Sequence, residues 1–296
     1  YREDALRILR ALRFAARFGL TIEEKTAAAL RENRELLRNI SPERIFSELK
    51  GILCARGAGE MLLAFPEVFF VILPELAPMR GFDTRRPQNH CWDVWGHTAH
   101  AVDAIAPESV LRLTMLFHDS GKPETFRYDA QAGFGRFPGH PAVSARIADA
   151  ALRALRCDNA ARERVVTLVE NHEMRTGHGK KDLRRLLAKI GEKNMRDLLL
   201  VRRADAAAHA PEAAARLTAL ADEDERILHE ITAERGCLHV KDLAVSGNDL
   251  LALGLKPGAA VGETLSWLLD LVLDEEVPNE KGALLAAARK EMQTHE

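Results

Sequence analysis

The stretch SVLRLTMLFHDSGKP, Ser109 to Pro123, decides how this chain is read. Leu111, Met115 and His118 fall at i, i+4 and i+7, so a helix over about 109–119 turns His118 toward the same side as its apolar stripe. Gly121 and Pro123 then stop the helix, and its carbonyl end carries partial negative charge that favours a cation. His118 and Asp119, side by side at that end, offer an imidazole nitrogen and a carboxylate oxygen to one ion. Taken alone, a histidine on an apolar face is a satisfied core residue more often than a ligand. Two further segments repeat the pattern, however. Val94, His97, Ala101 and Ile105 form one stripe, and Asp205 lies in line with Leu198 and Val201. A carboxylate on a buried face is costly unless a charge compensates it. Three helices that each turn a polar group inward point to metal ligation by His97, His118, Asp119 and Asp205. Nitrogen and oxygen donors with room for water suit Mg, Mn, Ni, Co, Fe or Zn rather than a thiolate site.

Outward from this centre, His140 precedes Pro141 at a position that suits a helix start, and His172 continues the stripe of Val165 and Leu168. Both are second-tier ligand candidates, with a capping or core role as the alternative. His100, three residues after His97, is left outside the ligand set. Gly133 to Gly139 reads as a loop able to form a small hairpin or lid near the metal, and no other strand pair is convincing. With only 5% aromatic residues and helical periods nearly throughout, the expected fold is all-α. It divides into neck helices over 1–38, body helices over 39–86, a metal-binding helical domain over 87–210 and a helical tail over 211–296. Pro87 and Pro211 mark the last two borders.

At 296 residues and 47% hydrophobic, the chain can bury a large core. No run approaches the ~20 apolar residues of a membrane span, and no signal peptide opens the sequence. The four cysteines lack C-x-x-C spacing, so free thiols and a cytoplasmic location without a membrane partner are expected. A net charge of −2 gives no global attraction to nucleic acid, which leaves local patches. Lys180, Lys181, Arg184 and Arg185 cluster on one helix as a solvated face or an RNA-facing stripe. Asp222-Glu223-Asp224 reads as a solvated acidic face, and Gly57-Ala58-Gly59 as a helix break. Near the start, Arg7, Arg10, Arg13 and Arg17 share a helical face with Asp4, as a solvated ladder or as a fixed set of donors for phosphates or base edges. Tyr1 sits inside this helical pattern, so an amino-terminal partner domain is expected to be missing.

The H…HD…D order over about residues 88–210 resembles the HD metal-dependent phosphohydrolase superfamily. That resemblance implies His118 and Asp119 as the catalytic centre, a metal on His97, His118, Asp119 and Asp205, and a second metal on His140 and His172 in some relatives. Such a metal binds a phosphate oxygen and lowers the pKa of a water for in-line attack.

A broader resemblance covers nearly the whole chain. Glu3-Asp4-Ala5-Leu6-Arg7, Arg10, Arg13-Phe14 and Phe18-Gly19 are similar to the neck-start motif of class II tRNA nucleotidyltransferases, the bacterial CCA-adding and poly(A) polymerase group. Ser41-Pro42-Glu43-Arg44-Ile45 with Glu48-Leu49 resembles the next motif, a helix-stabilising one. Ser246 to Leu250, Gly254, Gly258, Gly262 and Asn279 resemble the tRNA-contacting tail. The resemblance implies that Asp4 and Arg7 pair with the incoming CTP or ATP base, that Arg10 and Arg13 line the nucleotide pocket, and that tRNA is the partner. The family's catalytic head, with its glycine-serine loop and Asp-x-Asp pair for Mg²⁺, has no counterpart here, so this chain alone is not expected to add nucleotides. The alternatives are an independent HD phosphohydrolase acting on nucleotides or 2′,3′-cyclic phosphates, and an RNA-binding scaffold with a vestigial metal site.

Overall fold

A computed structural model describes residues 4–83, 91–173, 179–234 and 236–294; Glu3 and Pro87 lie outside the described residues. The described residues are helical apart from loops and one two-stranded antiparallel hairpin, so the all-α expectation holds. The hairpin pairs Arg127–Asp129 with Phe134–Arg136. Its turn is built by Asp129, whose Oδ1 accepts from the Gln131 and Ala132 amides at 3.1 and 3.0 Å, and by Gly133 at φ 74°, a conformation open to glycine. No described helix is long and apolar enough to cross a membrane.

The chain forms two compact units, Tyr1–Met174 with Arg196–Ala221, and Arg175–Met195 with Asp222–Glu296. In the first, helix Arg7–Phe18 buries Ile8, Leu9, Leu12, Ala15 and Ala16 and packs on helix Pro42–Leu53, which buries Leu49, Ile52 and Leu53. Gly57 precedes helix Ala58–Ala64, the break expected there. Gly59 has a separate role. A Cβ on it would lie 2.4 Å from the Ala99 carbonyl oxygen and 2.4 Å from Asp103 Oδ2, so its absence lets this helix cross helix Val94–Ala104 closely. The Gly59 amide donates to Asp103 Oδ1 at 2.8 Å, and Trp95 Nε1 donates to the Leu62 carbonyl at 3.0 Å.

Helix Ser109–Phe117 buries Leu111 through Phe117, ending just before the His-Asp pair. Gly121 differs from expectation. Its φ of −84° is ordinary, and the chain turns directly into the short helix Lys122–Thr125. The glycine is needed for closeness, since a Cβ would lie 2.7 Å from the His140 carbonyl oxygen and 2.8 Å from the Ser144 amide nitrogen. Helices His140–Ala154 and Asn159–Asn171 pack along one another. The segment Gly179–Ala207 is two helices joined at Gly191, φ 79° and ψ 160°.

The second unit gathers Cys237, Leu243, Val245, Leu250, Leu268, Leu284 and Ala288 into its own core. Ser246 and Asp249 form a capping box at helix Gly247–Ala252, and Asn279 ties the loop by accepting from the Ala244 amide and donating to the Asp242 carbonyl at 2.8 and 2.9 Å. Asp224, expected on a solvated face, is buried; it belongs to the inward side of helix Pro211–Ala233.

Gly59→Ala sets two effects against each other. An exposed helical glycine replaced by alanine gains about 1 kcal/mol, whereas forcing a methyl against backbone in a packed site costs typically 1–3 kcal/mol. Because the nearest obstacle is a carbonyl that cannot rotate away, a net loss of roughly 1 kcal/mol or more is expected in chemical denaturation of this unit; equal or higher stability would refute the crossing assignment.

Candidate metal centre and arginine ladder

Four histidines reach one place from four elements. His97 comes from helix Val94–Ala104, started by Asp93, whose Oδ1 accepts from the Gly96 amide at 2.6 Å. His118 and Asp119 follow helix Ser109–Phe117, His140 opens helix His140–Ala154, and His172 ends helix Asn159–Asn171. All five side chains are buried. Asp205 joins them, part-buried, from the helical stretch after Gly191.

The ring nitrogens are oriented from behind. Nδ1 of His97 faces the Ala208 carbonyl at 3.2 Å, that of His118 the Met115 carbonyl at 2.6 Å, that of His140 the Phe137 carbonyl at 3.1 Å and that of His172 the Val169 carbonyl at 2.7 Å. A carbonyl only accepts, so each Nδ1 carries the proton, and the neutral ring then presents an Nε2 lone pair forward. Those lone pairs converge. His97 and His118 Nε2 lie 3.4 Å apart, and His140 and His172 Nε2 lie 3.2 Å apart. His97 Nε2 is 2.8 Å from Asp205 Oδ1, and His118 Nε2 is 3.5 Å from the same oxygen.

Asp119 links the two groups. Its Oδ2 lies 3.3 Å from His118 Nε2 and 3.7 Å from His97 Nε2, while its Oδ1 lies 3.4 Å from His140 Nε2 and 3.6 Å from His172 Nε2. The donors of His97, His118, Asp119 and Asp205, and separately those of Asp119, His140 and His172, fall within 4.8 Å of one another. Neutral imidazoles and carboxylates so placed are all acceptors, and a proton or a cation between them removes the repulsion. Burial opposes charge on His118, yet Asp119 and Asp205 push its pKa up to about 10. Burial likewise opposes ionisation of both carboxylates. The His118 ring and Lys122 nevertheless hold Asp119 well below its ordinary range, and His118 and His97 do the same for Asp205. This mixed nitrogen and oxygen set, backed by carbonyls, fits a divalent cation in each group.

Lys122, His209, Glu173 and Arg216 join the site beyond the expected residues. Lys122 Nζ is 2.6 Å from Asp119 Oδ2, and the His209 ring lies 4.8 Å from that of His97. Both carried a signal in the spacing, Lys122 three residues after Asp119 and His209 four after Asp205. His100 stacks on Trp92 at 4.4 Å instead of joining the cluster.

The neck residues form a second group. Asp4 Oδ1 accepts from the Leu6 amide at 3.1 Å, and its carboxylate meets Arg10 at 3.5 Å and Arg44 at 3.6 Å. Arg7 is exposed and makes no side-chain ion pair among the described residues. Buried Glu48, from helix Pro42–Leu53, holds the ladder from beneath. It lies 3.4 Å from Arg10 Nε and 2.9 Å from Arg13 Nε, the latter out of line for a hydrogen bond.

The cluster Lys180, Lys181, Arg184 and Arg185, read as a solvated face or an RNA-facing stripe, is paired with carboxylates of its own unit. Lys180 and Arg184 pair with Glu234, Arg184 also with Glu275, Lys181 with Asp274 at 2.9 Å, and Arg185 grips both Asp274 oxygens at 2.6 Å. The carboxylates come from elsewhere in the same unit, so the cations tie its helices together.

Residues 142–288 match the family described as "tRNA nucleotidyltransferase domain 2 putative", and residues 19–79 match "Probable RNA and SrmB- binding site of polymerase A". The chain is 33% identical over 294 residues to the CC-adding tRNA nucleotidyltransferase of Thermus thermophilus, a match over 95% of this chain and 65% of that protein. It is 30% identical over 289 residues to the A-adding tRNA nucleotidyltransferase of Deinococcus radiodurans, over 91% of this chain and 64% of that protein. Among solved structures, the fold is similar to that of the Bacillus stearothermophilus CCA-adding enzyme in complex with CTP, with a TM-score of 0.64 and 21% identity over 99% of this chain and 63% of that one. The chain thus spans a little under two thirds of the length of these relatives.

Two predictions follow from the geometry. Because Asp119 gives one oxygen to each donor group, Asp119→Ala should lose two divalent ions per chain by elemental analysis, and His97→Ala and His140→Ala one each, all with unchanged helical circular dichroism. Full occupancy in Asp119→Ala would contradict the shared-ligand geometry. In the second unit, burial would raise the Asp274 pKa, but Lys181 and Arg185 hold it below its ordinary range, and Lys180 does the same for Glu234. A depressed folded pKa gives stability that is present above the unfolded value of about 4 and lost as pH falls through the folded value. The melting temperature of the native protein should therefore drop more steeply below about pH 4 than that of Asp274→Asn; parallel curves would show that the network carries no stability.

Proposed function

We propose that this chain, which matches tRNA nucleotidyltransferase and poly(A) polymerase models over residues 142–288 and 19–79, is the nucleotide-selecting and tRNA-holding portion of an enzyme that builds the CCA end of tRNA, with a metal-dependent phosphohydrolase site in its middle. The observation that carries this reading is the extent of the match, which runs over 95% and 91% of the chain to relatives named CC-adding and A-adding. An independent hydrolase has no use for the Asp4 and arginine neck.

In this reading Asp4 accepts from the exocyclic amino group that cytosine and adenine share, and Arg7 donates to the neighbouring ring nitrogen. Arg10 and Arg13, fixed by Glu48, hold the side of the nucleotide. Pre-set guanidinium forks lose little freedom on binding, and discrimination of about 1–3 kcal/mol per good bidentate pair is within their reach. The carboxylates that activate the tRNA 3′ hydroxyl belong to a head domain working with this chain.

At the second site, His97, His118, Asp119 and Asp205 would hold one divalent cation, and Asp119, His140 and His172 another. A cation held there supplies Lewis-acid polarisation of a phosphate ester and acidifies a water. The chain's own part is to fix the imidazole tautomers through the four carbonyls, to keep Asp119 ionised and positioned through Lys122, and to exclude bulk water by burial.

The test uses tRNA lacking its terminal nucleotides. The 296-residue chain should bind it, with affinity falling as salt rises, and with a head domain present Asp4→Ala should blur the selection of CTP and ATP by about tenfold or more. Because the amino group is common to CTP and ATP, the preference read is that for CTP and ATP over UTP and GTP; absence of tRNA binding, or an unchanged preference of this kind, would overturn the proposal. Metal-stimulated phosphate release by the native chain but not by His118→Ala separately checks the hydrolase site.

A further inference from the structure

One guanidinium beside the candidate metal centre has no ion-pair partner among the described residues. Arg216, on helix Pro211–Ala233, lines a cavity of about 230 Å³ together with Asp119, Lys122, His140, His172 and Asp205. It is exposed and makes no hydrogen bond or ion pair with a described residue. Lys122, the other cation of the cavity, is engaged by Asp119. The remaining polar wall consists of carboxylates and imidazoles, which would hold cations. An unpaired arginine fork at such a wall is suited to an anion arriving from outside, and a phosphate matches its planar geometry in two parallel hydrogen bonds.

The cavity's size limits what enters with the phosphate. Sites that enclose a whole small molecule run to about 300–1,000 Å³. A space of about 230 Å³ takes a phosphate and part of its sugar and leaves the base outside. The apolar side chains lining it, Phe137 and Leu217, offer no donor or acceptor to a base edge.

We infer that Arg216 is the anion anchor of this cavity, holding the phosphate of a nucleotide or RNA end, so that the site reads phosphate and not nucleobase. The inference rests on the hydrolase reading for the reaction that follows, but the binding step is measurable without it. Equilibrium dialysis of labelled inorganic phosphate against the Mn²⁺-treated chain provides the test. Arg216→Gln should weaken phosphate binding by about tenfold or more, and Arg216→Lys should recover part of it, with bound metal unchanged in both by elemental analysis. AMP, CMP, GMP and UMP should compete with phosphate within about threefold of one another, since a base outside the cavity adds little differential contact. No phosphate binding by the native chain, or equal binding by the native chain and Arg216→Gln, overturns the anchor. A preference of more than about tenfold among the four nucleotides overturns the base-blind reading. Arg216-dependent binding without release of phosphate from any of the four supports the anchor and counts only against the hydrolase reading.

Discussion

Wherever its imidazoles are neutral, acceptor faces acceptor inside the first unit of this chain, and much of that unit is arranged around that fact. Each of four imidazoles has its Nδ1 proton turned onto a backbone carbonyl of its own or a neighbouring helix end. With the back of each ring fixed, a neutral ring can only accept at its front, and the fronts meet one another at 3.4 and 3.2 Å around two carboxylates. In a buried setting this is unfavourable by several kcal/mol per uncompensated charge. Cations reverse the sign, turning repelling acceptors into a ligand sphere. Bare Gly121 lets helix His140–Ala154 come close behind the His-Asp pair, which gives that contact a purpose beyond packing.

The His-Asp pair was legible because two polar residues adjoin an apolar stripe, and the same reasoning found His97 and Asp205 on independent helices. Periodicity identifies the face a residue occupies and therefore what it turns inward. It does not supply distances, so the sharing of Asp119 between two donor groups emerged only from the fold. His140 and His172 stood between ligand and structural roles for that reason. Lys122 and His209 sit one helical turn from candidate ligands, and their spacing held a signal that the apolar pattern obscured. Gly121 shows the opposite limit. A glycine after a helix reads as a stop, whereas here it marks the near contact of a distant helix, which no local pattern encodes.

The two arginine-rich segments show how one residue type takes opposite roles. On the neck, Glu48 reaches Arg10 and Arg13 from below through their inner nitrogens, leaving Arg7 facing solvent. In the second unit, Asp274, Glu234 and Glu275 meet the cluster head-on, and its charge is taken up internally. Charge counting along the sequence cannot separate these cases, because the deciding carboxylates lie roughly 35 to 95 residues away. The tail motif is similar. Ser246, Asp249 and Asn279 serve first to cap and tie their own loops, so their place in the pattern reflects local architecture.

The central claim is that the crowded acceptors are assembled to hold metal. Anomalous diffraction from crystals grown with Mn²⁺ tests it directly. The account predicts two peaks, one among His97, His118, Asp119 and Asp205 and one among Asp119, His140 and His172, with Asp119 contacting both. Crystals with no anomalous density there, and with the four rings in the same close arrangement, would show that protons alone hold the cluster and would contradict it.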